Sequence, residues 1–233
     1  MGGKSYRAGA AGRSSGSAQP LWFHGTTVEF AEQILSSRLV GRAERGRGQM
    51  APLPGRSYLT RDLVYALSYV FKGLVEYQDG VWKIHGRKEA GAILLVEPSL
   101  GGCVPDEDWL GELLISPDLK PLEPALSRLI QAVRASVSSR TSASWASIPN
   151  FYRSDYGKWA RAGKTAINQL LKTKSGRDIL RMLVEWSPSV ACEGESVRVV
   201  SGWLLRREDV ARLAPDGSNL KAVGMQIVNQ GAA

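Results

Sequence analysis

Apolar and polar positions change period several times along the chain, and each change marks an element. Leu21-Trp22-Phe23 is a short apolar run that suits a buried strand. After the polar Gly25-Thr26-Thr27, the residues Val28, Ala31, Ile34 and Leu35 fall on one helical face. The spacing predicts a strand that hands over to a helix near His24. A second handover follows: residues 56 to 60 read as a strand, and Leu63, Ala66, Leu67 and Val70 recur at helical spacing behind Thr60, a suitable N-cap. Residues 91 to 97 (GAILLVE) form the continuous apolar run of a central strand. Residues 122 to 186 keep a helical period, through Leu126, Ile130 and Val133, then Ile167 and Leu170, then Leu180, Leu183 and Val184. Strand character returns over residues 196 to 205, a short helix is predicted around 207 to 213, and a last strand over 221 to 228. Strands, a helical insert and strands again define an α+β class.

Two stretches lack such a pattern. Residues 1–19 hold five Gly, four Ser and four Ala with Lys4, Arg7 and Arg13, too little apolar surface to repay ordering, and read as a flexible basic tail. Residues 41–56, with four Gly and four Arg, read as a long loop. The expected organisation is that tail followed by one domain over 20–233, with the helical insert at about 122–186.

Composition narrows the function classes. The 233 residues carry 30 Lys and Arg against 22 Asp and Glu, a formal charge of +8, and no apolar run approaches the ~18 to 20 residues of a membrane-spanning helix. Two cysteines, Cys103 and Cys192, are too few for a disulfide framework and lie in no zinc-ligand spacing, so a reducing, cytoplasmic setting without a metal is the default. The charge is uneven: residues 153–181 carry eight Lys and Arg against two acids, whereas residues 97–123 hold seven acids against one Lys. Asp106-Glu107-Asp108, in that acidic stretch, reads as a loop, since a calcium site needs alternating ligands and a Gly at a fixed place.

Candidate chemistry gathers at the handovers. Phe23-His24-Gly25-Thr26-Thr27 ends the first strand; taken alone, such a His more often makes a structural hydrogen bond. Gly55-Arg56-Ser57-Tyr58-Leu59-Thr60 forms the second strand, and Tyr69 follows Tyr58 by eleven residues on the next helix, so that two aromatic rings could flank a flat ligand. Cys192-Glu193-Gly194-Glu195-Ser196 opens a later strand with two glutamates about a Gly.

Together the three elements resemble the ADP-ribosyltransferase superfamily, in its His-Tyr-Glu branch of poly(ADP-ribose) polymerases and diphtheria-type toxins. The resemblance covers roughly residues 20–100 and 190–215. It implies a split β-sheet core and cleavage of the nicotinamide-ribose bond of NAD, with ADP-ribose passed to a protein or nucleic-acid acceptor. Carried over by position, it implies that Glu195 stabilises the oxocarbenium-like centre, with Glu193 held in reserve. His24 would hold a ribose hydroxyl, Gly25 and Thr26 would meet the carboxamide, and Tyr58 and Tyr69 would stack the nicotinamide. Arg42, Arg45 and Arg47 would face the pyrophosphate, Arg47 foremost, or else be solvated. Glu193-Gly194-Glu195 is also similar to the Glu-x-Glu of the Arg-Ser-Glu branch, but His24 and Tyr58 stand where that branch has Arg and Ser.

Two other functions fit the residues. One is a nucleic-acid-binding module without turnover, using the basic stretch with Tyr152, Tyr156 and Trp159 interleaved. The other is an RNA 2′-phosphotransferase that uses NAD, for which His85, in a loop-like stretch, is the only further histidine.

Overall fold

The computed structural model describes residues 22–37, 53–115, 122–137 and 155–227. The basic tail, Arg42, Arg45, Arg47 and Tyr152 lie outside the described residues. The first handover is present: β1 (Trp22–Thr26) leads through Thr27 into α1 (Val28–Ser36). At the second, β2 (Arg56–Thr60) leads into α2 (Leu63–Phe71). The cap is Asp62 rather than Thr60. Its Oδ1 accepts the N–H of Val64 at 2.9 Å and of Tyr65 at 3.3 Å, while Thr60 Oγ1 accepts the N–H of Asp62 at 3.0 Å.

A hairpin that periodicity did not mark follows, β3 (Gly73–Gln78) and β4 (Val81–Gly86), turning at Asp79 and Gly80, both at positive φ. His85 therefore lies on a strand and not in a loop, opposite Leu74. Then come β5 (Ala90–Pro98), a 3₁₀ turn at Leu100–Gly102, and β6 (Cys103–Pro105). Helices α3 (Glu107–Ile115), α4 (Pro124–Ser136), α5 (Asp155–Leu170) and α6 (Lys174–Trp186) follow. The helical region thus starts at Glu107, ahead of the expected 122, and Asp106-Glu107-Asp108 is a helix start. Asp106 Oδ1 accepts the N–H of Asp108 at 2.8 Å and of Trp109 at 3.3 Å. The chain closes with β7 (Ser189–Glu193), a 3₁₀ turn at Gly194–Ser196, β8 (Val197–Arg206), α7 (Arg207–Val210), α8 (Leu220–Val223) and β9 (Met225–Ile227). The predicted last strand over 221 to 228 is thus half helix, with the change of element at Gly224.

The fold is mixed α+β. Its seven-stranded sheet runs β6-β7-β2-β1-β5-β8-β9, with every described pairing antiparallel. Alternation along the strands divides the core. Trp22, Leu59, Leu94, Val190 and Cys192 face α1 and Val184. Phe23, Ile93, Trp203 and Leu205 face the other way, onto α2. On that second face, the β2-β7 half is covered instead by α3 to α6, through Tyr58, Ala191, Leu110, Ile130, Ile167 and Leu183. Each fully buried Leu, Ile or Phe contributes about 1.5 to 3 kcal/mol. β1 and β2 meet in a single register pair, Phe23 with Thr60, whereas β1 and β5 share five. A cleft therefore opens between β1 and β2, where α2 and the helical layer also part.

Cys103 and Cys192 are opposite each other in the β6–β7 register and joined in a disulfide, with Cα atoms 4.1 Å apart. This corrects the expectation of two unpaired thiols. Their separation of 89 residues in sequence concealed a cross-strand pair. Among the described residues no helix is long and apolar enough to cross a membrane.

Candidate functional site

The cleft ends in a shallow, open pocket with a cavity volume of about 20 Å³, lined by Phe23 and Gly25 of β1, Tyr58, Leu59 and Thr60 of β2, Tyr65, Ala66 and Tyr69 of α2, and Ser189 of β7. That is room for about one water molecule, so a flat ring enters only where the lining side chains move apart.

His24 binds across the cleft. Its Nδ1 lies 2.9 Å from the carbonyl oxygen of Tyr58, and since a carbonyl can only accept, Nδ1 carries the hydrogen. In the neutral ring the Nε2 lone pair is then left as an acceptor. Sequence reasoning put the local strand end here; the bridge to Tyr58 depends on β1 and β2 separating just beyond Phe23.

Gly25 is required for packing. A Cβ on it would stand 2.0 Å from the Ala66 carbonyl oxygen, so the missing side chain lets α2 lie against β1. The space left by the missing side chain is filled by the helix, while Gly25 itself lines the pocket. Thr26 is buried, in register with Ala92, and is not among the pocket-lining residues.

The aromatic pair differs from the expected one. Tyr69 meets Tyr65, one helical turn earlier, with ring centroids 5.3 Å apart, planes at 87° and hydroxyls 3.1 Å apart. Tyr65 was missed, although its i, i+4 spacing to Tyr69 was visible in the sequence. Burial, followed by the neighbouring Tyr69 and by Asp106 and Asp108, pushes the Tyr65 phenol well above its ordinary range.

Tyr58 presents its ring to the pocket and turns its hydroxyl inward. The hydroxyl donates to Glu107 Oε1 at 2.5 Å and accepts the N–H of Leu53 at 2.9 Å. Glu107 is only 5% exposed. Burial first, then the Glu107 charge, drive the Tyr58 phenol far above its usual value, so it stays protonated. Glu107 is a second residue that sequence reasoning missed, because a carboxylate in an acidic run ordinarily faces water.

The predicted carboxylates sit elsewhere. Glu193 holds Arg56 at 3.0 Å, and Arg56 also donates to the carbonyls of Gly102 and Ala191, tying β2 to β7 and the turn before β6. Glu195 is exposed on the turn after β7. Tyr58 is in register with Ala191, and Glu195 lies four residues further along, past the end of β7, and is not among the pocket-lining residues. The structure brings together Gly25, Tyr58 and Tyr69 at the pocket; His24 reaches the Tyr58 carbonyl but, like Thr26 and Glu195, is not among the lining residues.

No protein-family model, curated protein or solved structure matches the chain. The site therefore stands on its own geometry. Acids of the α3 start approach the pocket lining. The N–H of Asp106 donates to the Ser189 carbonyl at 3.0 Å, and Asp106 and Asp108 both act on Tyr65. Among the described residues, no group of three or more His, Cys, Asp and Glu is placed to hold a metal.

Proposed function

We propose that the pocket receives the nicotinamide end of NAD and that the chain is an NAD-dependent ADP-ribosyltransferase. The observation that carries this is the meeting of Gly25, Tyr58 and Tyr69 at one cleft between β1, β2 and α2, with His24 bonded to the Tyr58 carbonyl beside it. The near-division of the sheet at the single pair Phe23 with Thr60 supports the split-sheet arrangement that the resemblance implies. The aromatic walls suit a planar leaving group, and the Nε2 of His24 can accept from a ribose hydroxyl. In the reaction the bond from ribose C1′ to the nicotinamide nitrogen breaks, and its electron pair neutralises the pyridinium. An acceptor nucleophile then adds to C1′ and loses its proton. Negative charge beside C1′ lowers the barrier. We assign that charge to Asp108, the half-buried acid at the start of α3, in place of Glu195.

A pocket that binds without turnover is the second function to weigh, because its nine lining residues include no carboxylate and Ser189 stands opposite Thr60. Calorimetry with NAD and with nicotinamide, beside an assay of nicotinamide release, separates the two. Binding and release by the wild type, release lost in Asp108→Asn and kept in Glu195→Ala, support the transferase and its acid. Binding without release points to the second function. No binding of either compound overturns both.

A further inference from the structure

We propose that the outer faces of α5 and α6 bind the phosphate backbone of duplex nucleic acid. This surface requires neither the pocket nor NAD. Residues 155–186, which span the two helices, hold seven Lys and Arg and three acids, Asp155, Asp178 and Glu185, so this segment carries +4 of the chain's +8. The fold decides where those charges go. On α5 the buried positions are Ala162, Gly163, Ala166, Ile167 and Leu170, against α3 and α4. The opposite side is then Arg161, Lys164, Thr165, Asn168 and, past the helix end, Lys172, at spacings of three and four residues. Arg161 and Lys172 are exposed and Lys164 is half-buried. On α6 the residues Leu180, Leu183 and Val184 are buried, and the exposed Lys174, Arg177 and Arg181 recur along one side. Arg181 reaches Asp178 at 3.2 Å, but both are about half exposed or more, and such a pair contributes little and leaves the arginine available.

The chemistry of this face selects the partner. The nine steps from Arg161 to Leu170, the end of α5, extend about 14 Å, close to four base pairs of axial rise on one strand. Among the described residues no aromatic side chain stands at the outward positions of either helix. Trp159, which sequence reasoning cast as a stacking residue, has its carbonyl packed on α3, where a Cβ on Gly111 would meet it at 1.8 Å. Single strands are held largely by base stacking, so cations without rings favour a duplex backbone. A membrane surface is disfavoured because Met182 is the one large hydrophobic residue exposed on these helices among the described residues, their apolar faces being used in the core.

The test is fluorescence anisotropy with a labelled duplex of about 20 base pairs, DNA and RNA, across salt. About five phosphate contacts give a log-log salt slope near −4.5, and affinity falls by a factor on the order of 10² to 10³ between about 50 and 200 mM. Lys172→Gln with Lys174→Gln should flatten the slope by about 1.8. Lys83→Gln with Lys88→Gln, the same charge removed from the β3–β4 side, should leave it unchanged. Circular dichroism checks that both double variants fold. Four outcomes overturn the proposal: no duplex binding at about 50 mM salt, equal losses in the two double variants, tighter binding to a single strand of equal length, or tighter binding to phosphatidylserine vesicles.

Discussion

A Cβ placed on Gly163 would stand 1.9 Å from the carbonyl oxygen of Glu107, and one on Gly111 would stand 1.8 Å from that of Trp159. α3 and α5 thus cross backbone to backbone at two reciprocal glycines. The contact seats the residue whose carboxylate holds Tyr58, so the pocket wall is positioned from two layers behind. Gly163→Ala is expected to cost about 1 to 3 kcal/mol through overpacking. Thermal unfolding measures this, and an unchanged midpoint would show that the helices can slide apart freely.

Removing the hydroxyl of Tyr58 leaves a buried carboxylate without its donor. Tyr58→Phe is therefore expected to destabilise by about 1 to 3 kcal/mol, more than the hydrogen bond alone contributes. Tyr58→Phe combined with Glu107→Gln should cost less than the sum of the single changes, because the charge that lost its donor is gone too. Denaturant midpoints of the four proteins decide it, and strict additivity would count against the coupling.

Both Tyr58 and Tyr65 have phenols raised by burial, and the sign of the pH effect follows. A phenol that stays protonated when folded but ionises near pH 10 when unfolded supports the fold fully below pH 10 and progressively less above it. Each contributes a slope of up to about 1.4 kcal/mol per pH unit in that range. Urea midpoints from pH 9 to 11 should fall for the wild type, and more gently for Tyr65→Phe. Identical slopes would remove Tyr65 from the account.

Elements whose evidence lies in neighbouring residues were legible in the sequence. The handover from Trp22 to Val28 shows as a change of period, and the core of α6 as repeats at Leu180, Leu183 and Val184. The cap of α2 was placed two residues early, because Thr60 and Asp62 are both competent and only the ladder to β7, which ends at Thr60, decides between them. The β3–β4 hairpin was missed because its outer face is mixed: Leu74 and Val81 are exposed while Trp82 turns in to donate to the Leu213 carbonyl at 2.7 Å. The site was half legible. His24 and Tyr58 announce themselves on strands that lead into helices, but Glu107 comes behind Tyr58 only when β6 pairs with β7 and delivers α3 there. The displacement of Glu195 has the same source: the register of β7 on β2 carries it past the pocket.

The Cys103–Cys192 disulfide closes a long loop and joins three-residue β6 to its only strand neighbour among the described residues. Its reduction is expected to cost about 2 to 4 kcal/mol. Thiol titration of the unfolded protein without reductant should find none, and reductant should lower the melting temperature. The double variant Cys103→Ser with Cys192→Ser should melt at the reduced value regardless of reductant. Two free thiols in protein purified under air would count against the bridge.

Arg61 joins the strand and helix layers beside the pocket. Its guanidinium lies 4.3 Å from the ring centre of the buried Trp22, and its Nη1 donates to the Glu185 carbonyl at 3.2 Å, in the last turn of α6. The Arg61 N–H donates to the Pro188 carbonyl at 2.8 Å, one residue before Ser189 of the pocket. A cation at the negative end of a helix, stacked on an indole, combines two favourable terms of about 0.5 to 1 kcal/mol each. Arg61→Met keeps much of the apolar stem but loses both, so a loss of about 1 to 2 kcal/mol is expected. Arg61→Lys should recover only part of it, since an ammonium cannot lie flat on the ring while donating sideways to the carbonyl. Hydrogen exchange at the last turn of α6 separates this from a general loss of stability. Faster exchange confined to residues 183 to 187 supports the tie, and uniform acceleration across the fold counts against it.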